Sequence, residues 1–596
     1  MPDNKFHLKQ ASSFVRLVGN EEAAPEQLEL QRHWSGDSCA STLINRGETG
    51  CSIKEIVLFQ RDLPFDASTP VYGEGYSKLS QYAGTIANVS LISGYSDRDH
   101  YKIPQAEGFQ TVYNLALLSP ADADAILLAF TSCHRFNGEI RLVQGTIEIV
   151  LVTDGVRIEA GESWELEHFE IVQGQDHNKL FAQVAETIRT YHPLLEAAEV
   201  PTGWCSWYWY GPEVTEADVE ANMDVMSAEY PEQLKYVLID DGYQTYMGDW
   251  LIPGPAFQDM KALCRTILDK GLEPAIWVAP FIAEKDSDLF RNHPDWFVKD
   301  ASGSPLASDT VSFGGWRNGP WYMLDGTHPG AQNYLKYVFH TMREEWGNRF
   351  FKLDATMWGA LHGGTYYKPN TTRVEAYREG MQAILEGAGA DSFILGCNAP
   401  MWPSLGVVHG MRITDDIAYD WSKFKKNAKE NFWRNWQHNE LWVNDPDCVL
   451  LDNYMENHLE NQILPDGSFL PTESKLTEDE FGFHAAHIYC SGGMVLSGDS
   501  LLVQSDRARS TLRKLLQPTN VAAKFDDISF KVGRLQVGDK LVIAVFNDQD
   551  EPTAVEVALP QSCTITDYWT DEELGVYADR ITIELRPHHA RLLVCN

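Results

Sequence analysis

The chain has 596 residues, which at about 150 residues per domain gives a prior of about four domains, or two or three if one is a large barrel. Hydrophobic residues make up 44% and charged residues 22%, an ordinary globular balance that excludes a largely disordered chain. Acidic residues outnumber basic ones 85 to 48, for a formal charge of −37. Such a surface repels phosphate backbones and anionic lipid, so neither nucleic acid nor a membrane is an expected partner, whereas a neutral substrate meets no electrostatic barrier.

No run of about 20 apolar residues is present. The opening MPDNKFHLKQASSF lacks a basic segment followed by an apolar one, and the ten cysteines include no CxxC pair. A cytoplasmic protein without a disulfide framework or zinc ribbon is expected. Eighteen Trp, 24 Tyr and 26 Phe, clustered in runs such as WCSWYWY (Trp204 to Tyr210), fit either an aromatic core or stacking surfaces for sugar rings.

Residues 1–190 read as a β-sandwich. Short alternating runs recur (CSIKEIVLF, GTIANVSLIS, TVYNLALLS, GEIRLVQG), and Asp154-Gly155 between two alternating segments predicts a type I′ hairpin. From His177 the spacing turns helical and reads as a connector ending at Pro201. Over 201–517 short apolar strands alternate with amphipathic helices, which predicts a parallel sheet, open or closed into a (β/α)8 TIM barrel. Nine strand candidates occur: TGWCSWYW, LKYVLIDDG, LEPAIWVAPF, PWYMLDG, RFFKLDAT, SFILGCNAP, GMRITDD, DCVLLDN and GMVLSGD. A barrel needs eight, and PWYMLDG is assigned to an insertion. Thr215 and Asp218 have capping-box spacing. From 519 to 596 alternation returns, as a small antiparallel β-domain.

In parallel α/β sheets function gathers at the C-terminal strand ends. Those ends carry Asp240 and Asp241, Lys352 and Asp354, Arg412 with Asp415 and Asp416, Trp277, Cys397 and Asn398, and Asp452. Asp is poor in strand interiors and costly when buried unpaired, so the set points to chemistry. Glycoside hydrolysis needs two carboxyl groups across one sugar ring, one ionised and one protonated. Asp354 suits the first role, with Lys352 beside it. Asp416 suits the second, held protonated by burial or by neighbouring carboxylates. Asp240 and Asp241 suit sugar hydroxyls, and Trp204, Trp207 and Trp277 suit ring stacking. The competing reading, a divalent-metal site, is disfavoured by the interleaved Lys352 and Arg412. His484, His487 and Cys490 in FGFHAAHIYC read as buried helix residues. No phosphate loop, dinucleotide fingerprint or GxSxG elbow occurs.

The run TGWCSWYWYG, LIDDGYQ, WVAPF, FFKLDA, SFILGCNAP, GMRITDD and NDPDC, from about 203 to 499, resembles the retaining α-galactosidases of glycoside hydrolase family 36, and more narrowly their shorter, Thermotoga-like branch. The resemblance implies a hydrolase, an exo-acting α-galactosidase, without metal or organic cofactor. It puts the nucleophile on Asp354, from Lys352-Leu353-Asp354, and the acid/base on Asp416, four residues after Arg412. It also implies that Asp240 and Asp241 hold the galactose O4 and O6 hydroxyls, that Lys352 and Arg412 hold ring hydroxyls, and that Trp204, Trp277 and Cys397 line the pocket. Here Thr414-Asp415 precedes Asp416 where relatives have Gly-Pro, which places two acids side by side. An aromatic from the N-terminal region is expected to reach the pocket; Tyr72, Tyr76 and Tyr82 lie in a suggestive stretch. The partners implied are small oligosaccharides with α-linked galactose, with α-N-acetylgalactosaminide hydrolysis and galactosyl transfer as alternatives on the same site. A non-catalytic sugar-binding barrel is the alternative from another class. One sequence does not fix whether the chain forms a homo-oligomer.

Overall fold

The computed structural model describes residues 6–19, 23, 27–143, 145–453, 476–517 and 519–596. Its centre is an eight-stranded, all-parallel sheet: β1 (Thr202–Cys205), β2 (Tyr236–Ile239), β3 (Glu273–Val278), β4 (Phe350–Leu353), β5 (Phe393–Gly396), β6 (Gly410–Arg412), β7 (Val443–Asp445) and β8 (Val495–Ser497). The strands pair in sequence order, and β8 pairs back onto β1. The seam between β7 and β8 carries a backbone bond from Met494 N to Asn444 O (2.9 Å) and a parallel bridge between Val449 and Ser497, so the sheet is nearly closed. The strands are short and almost wholly buried, as expected where helices cover the outside of a parallel sheet.

The helices between them start where their caps dictate. Thr215, Thr372 and Thr477 each form a reciprocal capping box with the acid three residues on, Asp218, Glu375 and Glu480. Between β5 and β6 the link is a single 3-10 turn, Trp402–Ser404. N-terminal β-structure packs there instead: Met401 N donates to Tyr76 O, Lys78 N to Ala399 O, and Trp402 Nε1 to Phe130 O.

Two expectations for the strands change. PWYMLDG is an insertion, as expected: Tyr322–Met323 pairs antiparallel with Ile282–Ala283, outside the barrel. DCVLLDN is not a barrel strand. The seventh strand is the preceding Val443–Asp445, and Asp452 instead accepts from Ser505 and Arg507 at the start of the last helix. The chain leaves β1 after Cys205 and makes one helical turn, Trp207–Tyr210, rather than continuing extended.

The N-terminal region forms two antiparallel sheets packed on a core that includes Leu43, Ile56, Leu58, Phe59, Leu128, Ile140 and Ile149. Asp154 and Gly155 do adopt positive φ (54° and 77°), as a type I′ turn needs. The chain does not reverse there: Thr146–Val152 and Arg157–Ile158 both pair with Cys51–Asp62, so the turn is a bulge along one neighbour. The predicted connector is the helix His177–Tyr191, capped by Asp176. The last region is antiparallel, a six-stranded sheet plus the pair Thr553–Ala558 and Arg580–Leu585. Among the described residues no helix is long and apolar enough to cross a membrane.

Candidate active site

A cavity of about 410 Å³ opens at the C-terminal end of the barrel. Its lining includes Trp207, Asp240, Asp241, Trp277, Lys352, Asp354, Arg412 and Asp416, eight of the ten residues proposed from sequence for catalysis or sugar binding. The other two are corrections. Trp204 is fully buried behind the wall, and its indole N–H donates to the carbonyl of Asp499. Cys397 is buried beneath Arg412, with its sulfur 3.9 Å from Arg412 Nη1, and is not part of the lining.

Asp354 follows β4 directly and is half-buried. Its Oδ1 accepts from Ala355 N (2.7 Å) and Asn398 Nδ2 (2.8 Å), and its Oδ2 from Trp277 Nε1 (3.1 Å). Three donors on three barrel segments fix the carboxylate plane. Ala355 and Asn398 hold left-handed backbone (φ 50° and 40°), a strain that persists where surrounding structure over-determines it and that gathers at functional sites. Lys352, expected beside Asp354, spends its ammonium on Asp240 Oδ2 at 2.7 Å. Burial pushes the Asp240 carboxyl up while Lys352 opposes it; in return Asp240 keeps the buried Lys352 charged despite the cost of desolvation.

The neighbouring acids of the GMRITDD run separate cleanly. Asp415 is buried, and its Oδ2 takes both Lys423 (2.9 Å) and Lys426 (2.6 Å). Burial would raise its pKa, but these lysines hold it far below the usual carboxylate range. Asp416 instead exposes 55% of its side chain to the cavity. Arg412 Nη2 donates to its Oδ1 at 2.8 Å, and Lys78 Nζ lies 3.9 Å from the same oxygen. Desolvation works to raise Asp416, yet Arg412 and then Lys78 outweigh it, so its carboxyl sits below the usual range. The expectation that burial or neighbouring carboxylates keep this group protonated is therefore corrected. Beside Asp416, burial pushes Asp447 up to about 6; it shares Arg412 with Asp416 and also accepts from Tyr208.

Several lining residues escaped the sequence reading. Lys78, Leu79, Tyr95, His100 and Tyr101 come from the N-terminal region, and all but Lys78 line the cavity directly. Tyr101 is the fully buried aromatic of this group, and burial pushes its hydroxyl well above the usual phenol range. Tyr72, Tyr76 and Tyr82 do not reach the cavity. Tyr72 stacks on Trp433 (4.1 Å between centroids), Tyr76 donates to Ala360 O, and Tyr82 donates to Asp97. Trp316, Arg317 and Asn318 come from the long excursion between β3 and β4. Tyr208 comes from the helical turn after β1. Asp447 was within reach of sequence, since NDPDC carries it two residues beyond a strand end.

The segment that bears Lys78 is clamped by one arginine. Arg434, fully buried on the barrel helix Trp421–Arg434, pairs with the equally buried Glu74 at 2.7 Å. It also donates to the carbonyls of Lys78 (2.7 Å), Ser80 (3.0 Å) and Ile413 (2.8 Å). Glu74 further accepts from Tyr72 and Gln437. Lys78 Nζ itself donates to Thr414 O at 2.9 Å, which ties the N-terminal region to the backbone next to Asp416.

Comparison with known proteins bears on the fold and on part of the sequence. The melibiase family model matches residues 225–367. The A type blood α-D-galactosamine galactosaminidase of Flavonifractor plautii is 24% identical over 317 residues, covering 49% of this chain and 28% of that protein. This chain thus spans less than a third of the length of the first curated relatives it matches. Among solved structures, an α-galactosidase from Thermus thermophilus, in complex with p-nitrophenyl α-D-galactopyranoside, superposes with a TM-score of 0.61 at 20% identity. That match covers 85% of this chain and 98% of that one. A family 36 α-galactosidase from Geobacillus stearothermophilus, bound to 1-deoxygalactonojirimycin, gives 0.62 at 14% identity, covering 96% and 82%. Residues 225–367 are melibiase-like in sequence, and the chain shares the fold of these α-galactosidases.

Proposed function

We propose that the protein is a retaining, exo-acting α-galactosidase of the family 36 type, which removes terminal α-linked galactose from small oligosaccharides such as raffinose or melibiose by double displacement. The observation that carries this reading is that Asp354 and Asp416, 62 residues apart in sequence, face one cavity in different states of engagement. Asp354 is held by three neutral donors in a fixed plane, as a nucleophile aimed at an anomeric carbon should be. Asp416 reaches into open space on an arginine, free to meet a leaving oxygen. Asp354 attacks and the C–O bond to the leaving group breaks as Asp416 gives its proton to that oxygen; Asp416 then takes a proton from water, which releases the sugar with retained configuration. Substrate raises Asp416 for this step by displacing the water that solvates its carboxylate. Trp277 supplies an apolar face, while Lys352, Arg412 and Asp240 meet ring hydroxyls.

The chain reads as three units with boundaries near 1–190, 201–517 and 519–596, the second bearing the chemistry. The named galactosaminidase relative is a reason to include 2-amino and 2-acetamido sugars among the substrates tried. The test is hydrolysis of p-nitrophenyl α-galactoside, α-N-acetylgalactosaminide and α-galactosaminide, with the anomer of the first product followed by NMR. Release of the β-anomer first, or full activity in Asp354→Ala, overturns the proposal.

A further inference from the structure

Most cations of the cavity have a carboxylate of their own. Lys352 has Asp240, and Lys423 and Lys426 converge on Asp415. Arg317 has Asp241, whose side chain is 2% exposed and whose Oδ1 also accepts from Gln244 Nε2 at 2.7 Å. Arg412 is arranged differently, since one nitrogen of a single guanidinium serves two carboxylates. Its Nη2 donates to Asp416 Oδ1 (2.8 Å), to Asp447 Oδ2, to the carbonyl of Asp415 (3.1 Å) and to the Tyr208 hydroxyl (3.3 Å). That nitrogen carries two hydrogens for four acceptors, so what one carboxylate gains the other loses.

The two acids are not equivalent. Asp416 opens to the cavity, whereas Asp447 is buried and lies outside the cavity lining. Besides Arg412, Asp447 Oδ2 accepts from Ile417 N (2.8 Å) and from Tyr208, and its Oδ1 accepts from Cys448 N (2.7 Å). Its backbone has φ 79°, a left-handed conformation that costs free energy in any residue but glycine. Neighbours hold that conformation: Asp447 N donates to Asp445 Oδ1 (2.9 Å), and Thr414 Oγ1 donates to the carbonyl of Pro446 (3.1 Å). The strain keeps a carboxylate against Arg412 at a place that does not line the cavity.

We propose that Asp447 is a positioning residue for the acid/base Asp416: it draws on the same Arg412 nitrogen, so that the two acids and one arginine hold a single proton as a unit. This rests on the glycosidase reading above and explains how that site keeps an acid. Arg412 and Lys78 favour the ionised form of Asp416, while burial favours a proton on Asp447 up to about 6. Ionising either acid makes the second ionisation harder, and the last proton leaves at a pH that belongs to the pair. In the free enzyme that proton rests on Asp447. When substrate displaces water from Asp416, Asp416 becomes the protonated member and Asp447 the anion that retains Arg412. The other groups facing the pair are the cations Lys78 and Lys352, the acids Asp415 and Asp445, and the weak acids Tyr208 and Cys448. Asp415 has its two lysines and Lys352 has Asp240, so Arg412 is the charge for which the two acids compete.

The experiment follows kcat/KM against pH for melibiose, a poor leaving group, and p-nitrophenyl α-galactoside, a good one, in wild type, Asp447→Asn and Tyr208→Phe. In wild type the alkaline limb on melibiose lies near the value set for Asp447, about 6. Asp447→Asn keeps the shape but leaves Arg412 wholly to Asp416, so the limb moves down by at least about one pH unit. At the wild-type limb this variant loses about 10-fold more on melibiose than on the nitrophenyl substrate. Tyr208→Phe removes a donor that favours ionised Asp447, so its limb moves up, by about half a unit or more. A packing defect does not move the two limbs in opposite directions. Limbs that stay in place or move the same way overturn the proposal, as do equal losses on both substrates in Asp447→Asn. If Asp447→Asn does not fold, Tyr208→Phe decides: a limb unmoved or moved down overturns the proposal. Difference infrared spectroscopy reads the same proton without substrate. The carbonyl stretch of a protonated carboxyl that wild type loses on passing through the limb should be absent from Asp447→Asn and persist to higher pH in Tyr208→Phe. That result without hydrolysis of either substrate overturns the glycosidase reading and leaves the shared proton standing. An active wild type whose band is unchanged in both variants overturns the proposal alone.

Discussion

The floor and the wall of the cavity are built by different means. The floor is a product of the barrel: Asp240, Lys352, Asp354 and Arg412 stand at the ends of β2, β4 and β6, and adjacent strands hold Trp277 level with Lys352. The wall is assembled from remote chain, with residues 78–101 arriving from the N-terminal sheets and residues 313–318 from the excursion between β3 and β4. The floor carries reacting and sugar-holding groups on rigid strands. The wall sets the charge around Asp416 through Lys78 and offers Arg317 in place of a free Asp241. Conserving the first while changing the second is how one barrel serves several substrates.

This contrast can be broken from the floor upward. The largest effect is expected for Asp354→Ala, at least about 10⁴-fold in kcat, with partial rescue by azide or formate giving a product of inverted configuration. Asp416→Ala should cost about 10²–10⁴-fold on poor leaving groups and clearly less on good ones such as nitrophenolates; equal losses would move the acid role elsewhere, Asp447 being the first alternative. On the wall side, Glu74→Ala strips a fully buried arginine of its partner and should destabilise the fold by about 3 kcal/mol, read as a lower melting temperature and denaturation midpoint. If stability is unchanged, the N-terminal region is not clamped to the barrel as described. The smallest effect is expected for Lys78→Met. A lysine that stabilises ionised Asp416 lowers the pH at which the acid loses its proton, so the wild-type profile should fall away early on the alkaline side. Removing the lysine raises the carboxyl and moves that limb to higher pH, with rates changed by no more than about tenfold at any one pH. A limb that stays in place would leave Lys78 a purely structural role.

Much of the floor was legible because strand ends are visible in sequence. The Lys-x-Asp spacing puts Lys352 and Asp354 on one face of a strand, since side chains alternate with period two. That spacing does not say which acid the lysine meets; Lys352 pairs with Asp240 on a different strand. Trp204 illustrates the same limit, as its strand is correct but its side chain is buried behind the wall against Asp499. Asp415 and Asp416 are adjacent in sequence, and only the two lysines of the following helix, Lys423 and Lys426, separate the buried acid from the exposed one. The misplaced seventh strand follows from reading CVLL as strand because it is the more apolar run. The barrel uses the shorter VND, which gains its burial from its neighbours.

The sequence by itself determined the alternation of strand and helix, the β-rich flanks, the capped helix starts and the acids at the strand ends. These follow from local periodicity and local hydrogen bonding, which a linear chain records directly. Only the tertiary structure decided who neutralises whom: that Asp241 is spent on Arg317, Asp416 answers to Lys78, and Arg434 clamps residues 74–80 to the barrel. Charge interactions fall off over a few ångströms, and the distances that set them here are between residues separated by about 75 to 360 positions, which no pattern along the chain encodes.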